Sequence, residues 1–142
     1  MAHRAKYRFL TKADPATLRG IITLYRAHGW WRPADKPALL KRLIAGSHCF
    51  AVAERDGRVI GMARAISDGV SDAYIQDVAV LKTERGAGTG RALVRTVLKR
   101  LRADGIKWVA LIAQDNSGPF YAKLGFKVLG KAQPMLSKGS YV

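Results

Sequence analysis

Apolar positions along this chain fall into helical and extended patterns with clear punctuation between them. Lys6 to Leu10 reads as a first strand. Asp14 then precedes Pro15, a cap followed by a first-turn proline. Leu18, Ile21, Ile22 and Tyr25 follow at helical spacing, and Gly29 can end that helix. A second helix is predicted from about Pro37, with Leu39, Leu40, Leu43 and Ile44 inward and Gly46 as its stop. Cys49 to Arg55 and Arg58 to Ile66 flank Asp56-Gly57, a strong hairpin signal. Ser67 to Ser71 makes a looser turn into an extended run, Ala73 to Val80. After residues 85–91, Leu93, Val94, Val97, Leu98 and Leu101 share one helical face, with Arg91, Arg95, Lys99 and Arg102 opposite. Trp108 to Ile112 is short and apolar throughout, the pattern of a strand buried on both faces. A short helix around Pro119 to Leu124 and strands near Phe126 to Val128 and Met135 to Val142 complete the expectation. The order β-α-α-β-β-β-α-β-α-β-β fits an α/β domain of three layers with a mixed sheet.

Composition narrows the class. A chain of 142 residues with 49% hydrophobic content is expected to be one domain, residues 1–142, with a real core. No apolar run is long enough for a transmembrane helix, and the basic N-terminus lacks the apolar stretch of a secretory signal. The single cysteine, Cys49, sits in the apolar run Cys49 to Ala53 and reads as a buried structural thiol. The cytoplasm is the default compartment. Lys and Arg number 25 against 10 Asp and Glu, a net charge of +15 that attracts polyanions.

The densest chemical signal is Arg85-Gly86-Ala87-Gly88-Thr89-Gly90-Arg91, between the extended run and the basic amphipathic helix. Glycine at every second position lets backbone approach a ligand closely. The positive end of the following helix then favours a phosphate or pyrophosphate. A dinucleotide fingerprint would need glycine at position 91, which is Arg91, and a Walker loop is absent. What remains is Arg-x-x-Gly-x-Gly. A second motif follows at the distance of about one helix and one strand: Phe120-Tyr121-Ala122-Lys123-Leu124-Gly125-Phe126.

Together these motifs resemble the acyl-CoA loop and the later FY-x-x-LGF segment of the GNAT superfamily of N-acetyltransferases. The resemblance extends from about Cys49 to Val128. It implies a three-layer α/β/α fold whose central sheet is mixed, mostly antiparallel, and splayed between two neighbouring parallel strands. It implies acetyl-CoA as cofactor, its pantetheine arm pairing with backbone near Val78, Ala79 and Val80 and its pyrophosphate on Arg85, Gly86, Ala87, Gly88, Thr89 and Gly90. Arg91 and Lys123 would meet the phosphates, or be solvated. The family often carries asparagine seven residues before the motif tyrosine. Here that position is Gln114, and Asn116 stands nearby out of register.

Direct acetyl transfer raises two proton problems. A lysine-like amine, with a reference pKa of about 10.4, is neutral in only about one molecule in a thousand at pH 7. The departing thiolate must also be protonated. By resemblance Tyr121 is the general acid, a phenol that stays protonated to about pH 10; otherwise it is a packed tyrosine. Asp77 lies in an apolar strand end, where a carboxylate needs a partner. It resembles the acidic residue that polyamine and small-amine acetyltransferases carry at this position, holding the acceptor ammonium or relaying its proton through water; the alternative is a structural carboxylate. Tyr74 and Gln76 share the opposite strand face and are candidates for lining the acceptor site, although many relatives have glutamate at the Tyr74 position. Trp30 and Trp31, in the connection between the first two helices, either wall an apolar or aromatic acceptor site or pack under the loop. His28 is a possible base or an ordinary helix-end residue. Ala65 to Gly69, Ile75 to Val78 and the loop also resemble serotonin-type arylalkylamine acetyltransferases.

The expected function is therefore transfer of an acetyl group from acetyl-CoA to a small primary amine, aromatic or not, by a homodimer that uses no metal and no membrane. The competing classes are a protein N-terminal or lysine acetyltransferase and a basic module that binds nucleic acid or ribosomes on the same fold.

Overall fold

The structure, a computed structural model, describes residues 3–140. Its elements are β1 (Lys6–Phe9), α1 (Pro15–Ala27), α2 (Pro37–Gly46), β2 (Cys49–Arg55), β3 (Arg58–Ser67), β4 (Asp72–Val80), a 3-10 turn (Lys82–Glu84), α3 (Thr89–Ala103), β5 (Trp108–Ala110) and α4 (Gly118–Ala122). The chain divides into two compact units, Met1–Leu111 and Ile112–Val142. The first carries the sheet and α1 to α3.

Local chemistry accounts for most boundaries. The Asp14 carboxylate accepts from the Thr17 amide at 2.7 Å and caps α1, whose first turn holds Pro15. Asp56 at φ 51° and Gly57 at φ 74° turn β2 into β3, as an Asp-Gly hairpin requires. The strands lie in the order β1-β2-β3-β4-β5. The first three pairings are antiparallel, and β4 and β5 run parallel.

Side-chain size sorts the two faces. Phe50 and Val52 of β2 and Met62 of β3 meet Leu18, Ile21, Ile22, Leu24, Leu40 and Ile44 of α1 and α2 in one core. Strand alternation sends Ala51, Ala53 and Ala63 to the other face, where all three are fully buried. These small residues let α3 lie close, with Leu93, Val94, Val97 and Leu101 fully buried. Gly61 marks the tightest approach: a Cβ there would stand 2.9 Å from Leu93 Cδ1 and 3.1 Å from the Ala79 carbonyl oxygen. Cys49 is buried in this layer, and burial pushes its thiol up to about 11, which suits a packed thiol and not a nucleophile. Helices on both faces of a mixed, mostly antiparallel sheet give the expected three layers.

Three expectations need correction. Trp108 to Ile112 is not buried on both faces: Trp108 is 42% exposed and Ile112 is 59% exposed. Only Trp108–Ala110 is a strand, and it pairs with β4 alone, so one of its edges is unpaired among the described residues. The final helix is shorter than predicted, Gly118–Ala122. No strand forms at Phe126 to Val128, and none forms at residues 135–140; Tyr141 and Val142 lie outside the described residues. The Phe126 amide is spent on a turn bond to the Tyr121 carbonyl at 3.1 Å. Gly130 and Pro134 then interrupt the remaining apolar positions.

Candidate active site

The glycine-rich turn opens α3. Gly86 and Gly88 take φ of 84° and 83°, and Gly88 is the left-handed N-cap residue of α3. No side chain caps the helix, so its first amides are left for another acceptor. A Cβ built on either glycine would meet nothing within 4 Å. The turn is thus an open cradle of backbone at the positive end of a 15-residue helix. These features fit the pyrophosphate of coenzyme A. Gly86, Ala87, Gly88 and Arg91 are exposed and Thr89 is buried. The Arg85 side chain folds back, with Nε donating to the Val80 carbonyl at 3.2 Å, and so ties the turn to the end of β4.

β4 reaches that turn with one edge free. Its pairing with β5 covers only Asp72, Ala73 and Tyr74 against Trp108, Val109 and Ala110. From Ile75 to Val80 the β5-side edge has no strand beside it among the described residues. This is the splay that the resemblance implies, and it leaves backbone near Val78 and Val80 available to an extended ligand. The Ala79 side chain points into the α1 core.

Asp77 departs from the regular strand. Met62 pairs with Ala79 and Arg64 with Gln76, so Asp77 and Val78 together oppose Ala63 in a bulge. Asp77 takes φ 55°, a conformation that aspartate tolerates better than most residues. The bulge corrects an expectation. Simple alternation puts Asp77 on the face opposite Tyr74 and Gln76, whereas here the Asp77 carboxylate and the Gln76 amide are both partners of one guanidinium. Arg64 Nε donates to Asp77 Oδ2 at 2.6 Å, and Nη2 reaches Gln76 Oε1 at a long 3.4 Å. The Tyr25 hydroxyl also donates to Asp77 Oδ2, at 2.7 Å. Both bonds end on one oxygen. Burial, with the Asp77 carboxylate beside it, holds the Tyr25 phenol well above its ordinary value and keeps it a donor.

Tyr25 carries the site on to the tryptophans. Its ring centroid lies 6.1 Å from that of Trp30, edge to face, and 6.4 Å from that of Trp31. Trp30 is 39% exposed and stacks on His28 at 4.7 Å, while Trp31 packs partly into the α1 core. The connection that bears them is held by the Asp35 carboxylate, which accepts from the Arg32 amide at 2.7 Å. Tyr74 is 44% exposed and meets Trp108 edge to face at 5.6 Å.

In the second unit, Tyr121 lies on α4 between Phe120 and Phe126, with ring centroids 4.9 and 5.8 Å away. Burial raises its phenol above the ordinary value, so it remains protonated across the neutral range. Asn116 adopts φ 59° in the turn before α4, and Lys123, at the end of α4, is exposed.

Two members of the first cluster are missing from the sequence-based site. Arg64 is the one cation in the apolar stretch Ile60 to Ile66, and Asp77 is the one carboxylate in Ala73 to Val80. Each needs a partner on burial, and adjacent hairpin strands were the place to look. Tyr25 was legible only as an inward helix position. Its hydroxyl also demands a partner, but nothing local says which.

A family model described as the Acetyltransferase (GNAT) family matches residues 17–126. Serotonin N-acetyltransferase 2, chloroplastic, of Oryza sativa subsp. japonica is 40% identical over 70 residues, covering 49% of this chain and 35% of that protein. The chain spans less than half the length of the first curated relatives it matches. Among solved structures, a GNAT family acetyltransferase from Streptococcus pneumoniae TIGR4 superposes with a TM-score of 0.80 at 22% identity, over 97% of this chain and 100% of that one. Glucosamine-6-phosphate N-acetyltransferase from Arabidopsis thaliana gives 0.78 at 18% identity, over 97% and 100%. At such identities these two speak for the fold alone. The cradle at the start of α3, the splay beside β4 and the match over residues 17–126 agree: the chain belongs to the GNAT family of acetyltransferases.

Proposed function

We propose that this chain is an acetyl-CoA-dependent N-acetyltransferase whose acceptor is a small primary amine with an apolar, aromatic body. The observation that carries the acceptor reading is the double engagement of Tyr25. Its ring contacts Trp30 and Trp31, and its hydroxyl donates to Asp77 Oδ2 at 2.7 Å. One residue thereby joins an aromatic wall to a carboxylate. Rings can cover the body of such an amine, and the carboxylate can face its ammonium. The rice relative, named a serotonin N-acetyltransferase, supports the same class.

Bound acetyl-CoA supplies the acetyl group as a thioester. The turn from Arg85 to Arg91 and the free edge of β4 hold and orient it. Asp77 has its Oδ2 engaged by Arg64 and Tyr25, while Oδ1 receives no hydrogen bond among the described residues. That oxygen is the anchor for the acceptor ammonium or for a water that takes its proton. Tyr121, kept protonated by burial, would be the group that supplies a proton to a departing thiolate. A panel of amines assayed by free thiol release tests the reading. Arylalkylamines are expected to have higher kcat/KM than free lysine or spermidine. A clear win for polyamines or peptide N-termini would overturn the aromatic-amine reading.

A further inference from the structure

Beyond Arg91, where the cofactor turn ends, the outward face of α3 carries cations that neither that turn nor the acceptor site uses. Arg95, Lys99 and Arg102 follow Arg91 along one exposed side of the helix. Ala92, Thr96 and Ala103, which flank the row on one side, are small. None of these four cations forms an ion pair among the described residues.

Of the ten acids of the chain, none pairs with this row among the described residues, and eight have partners of their own. Glu54 pairs with Arg8, Asp56 with His3 and Asp35 with Arg32. Glu84 serves Arg55 and Arg58, and Asp77 serves Arg64. Asp104, at the end of α3, is held by His48 at 2.8 Å and Arg100 at 2.9 Å. Asp14 caps α1, and Asp68 closes its own turn onto the amides of Val70 and Ser71. Asp72 and Asp115 lie outside α3. The row on α3 therefore faces solvent with no carboxylate paired to it among the described residues.

We propose that this face of α3 is a docking surface for the phosphate backbone of a double-stranded nucleic acid. The row is straight and uniform in sign. From Arg95 to Arg102 it spans roughly 10 Å at about 1.5 Å per residue. Duplex DNA presents one charge per about 1.7 Å of axis, so several phosphates fall within that span. Small residues beside the cations let the helix lie against a backbone. The row holds no aromatic ring to stack unpaired bases and no large apolar anchor of the kind protein interfaces use. Contacts of this kind position without reading sequence.

The test is binding of a labelled mixed-sequence duplex of about 20 base pairs, followed from about 50 to about 200 mM salt. Arg95, Lys99 and Arg102 together should contribute about −2.7 to the slope of log K against log salt, at about −0.9 per phosphate neutralised. The triple variant Arg95→Gln, Lys99→Gln, Arg102→Gln should lose that much slope while retaining its helical circular dichroism and its acetyl-CoA affinity. Lys41→Gln, Arg42→Gln on α2 should leave the slope in place. No measurable duplex binding at the lowest salt, or an unchanged slope in the triple variant, would overturn the proposal. So would stripe-dependent binding to anionic lipid vesicles without binding to the duplex.

Discussion

Arg64 and Asp77 meet across a β-bulge, Nε to Oδ2 at 2.6 Å, with their side chains 13% and 21% exposed. The bulge turns Asp77 out of phase with its strand, and the guanidinium holds it there. Removing one partner leaves a half-buried charge alone, so Arg64→Met should lower stability by about 1.5–3 kcal/mol, the range for hydrogen bonds to charged groups. In a double-mutant cycle with Asp77→Asn, denaturant unfolding should return a coupling above about 0.5 kcal/mol. Strictly additive losses would mean that the pair contributes nothing in solution.

Asp77 can be tested for function without disturbing the bulge. Asparagine tolerates φ 55° nearly as well as aspartate. Asp77→Asn should therefore keep the fold and acetyl-CoA binding while raising the acceptor KM, lowering kcat, or both. Asp77→Val adds about 1–2 kcal/mol of backbone strain and should also lower the melting temperature. Wild-type kinetics in Asp77→Asn would make this carboxylate purely structural.

The cofactor turn has its own probe. Gly88 sits at φ 83° with open space where a side chain would project. A Cβ there would meet nothing within 4 Å, so valine would project into the cradle, and its branched side chain would also strain the left-handed backbone. Gly88→Val should abolish acetyl-CoA binding measured by calorimetry. Unchanged affinity would remove the turn from the binding site.

Tyr121→Phe keeps the ring and removes the proton. Turnover should fall by about 10²- to 10⁴-fold with cofactor affinity little changed. Because burial raises the phenol, the alkaline limb of kcat that it controls should lie above pH of about 10. A variant within twofold of wild type would assign the proton to water.

Asp68 is expected to contribute to stability in acid. The amides of Ser71 and Val70 hold its carboxyl down at about 2, below its ordinary value. A depressed carboxyl stabilises the fold above its unfolded pKa of about 3.9, and that contribution is lost as pH falls through about 2. Asp68→Asn should melt lower than wild type at pH 7, and the difference should close toward pH 2. A difference independent of pH would show that the turn does not depend on the charge.

What the sequence by itself determined is what local chemistry can specify. The cap at Asp14, the Asp-Gly hairpin, the apolar face of α3 and the glycine turn before it are each written within a dozen residues. The same holds for the existence of strands β1 to β4, written as extended runs between turn residues. Tertiary structure decided the rest. The partners of Asp77 come from a strand 13 residues away and a helix 52 residues away. The bulge that brings them together breaks the alternation from which faces are read. Trp30 and Trp31 look alike as a dipeptide, yet only Trp31 packs partly into the core while Trp30 lies across Tyr25 and His28. The apolar positions after Phe126 imitate strands, but a strand needs a neighbour to accept its hydrogen bonds, and no local pattern can promise one.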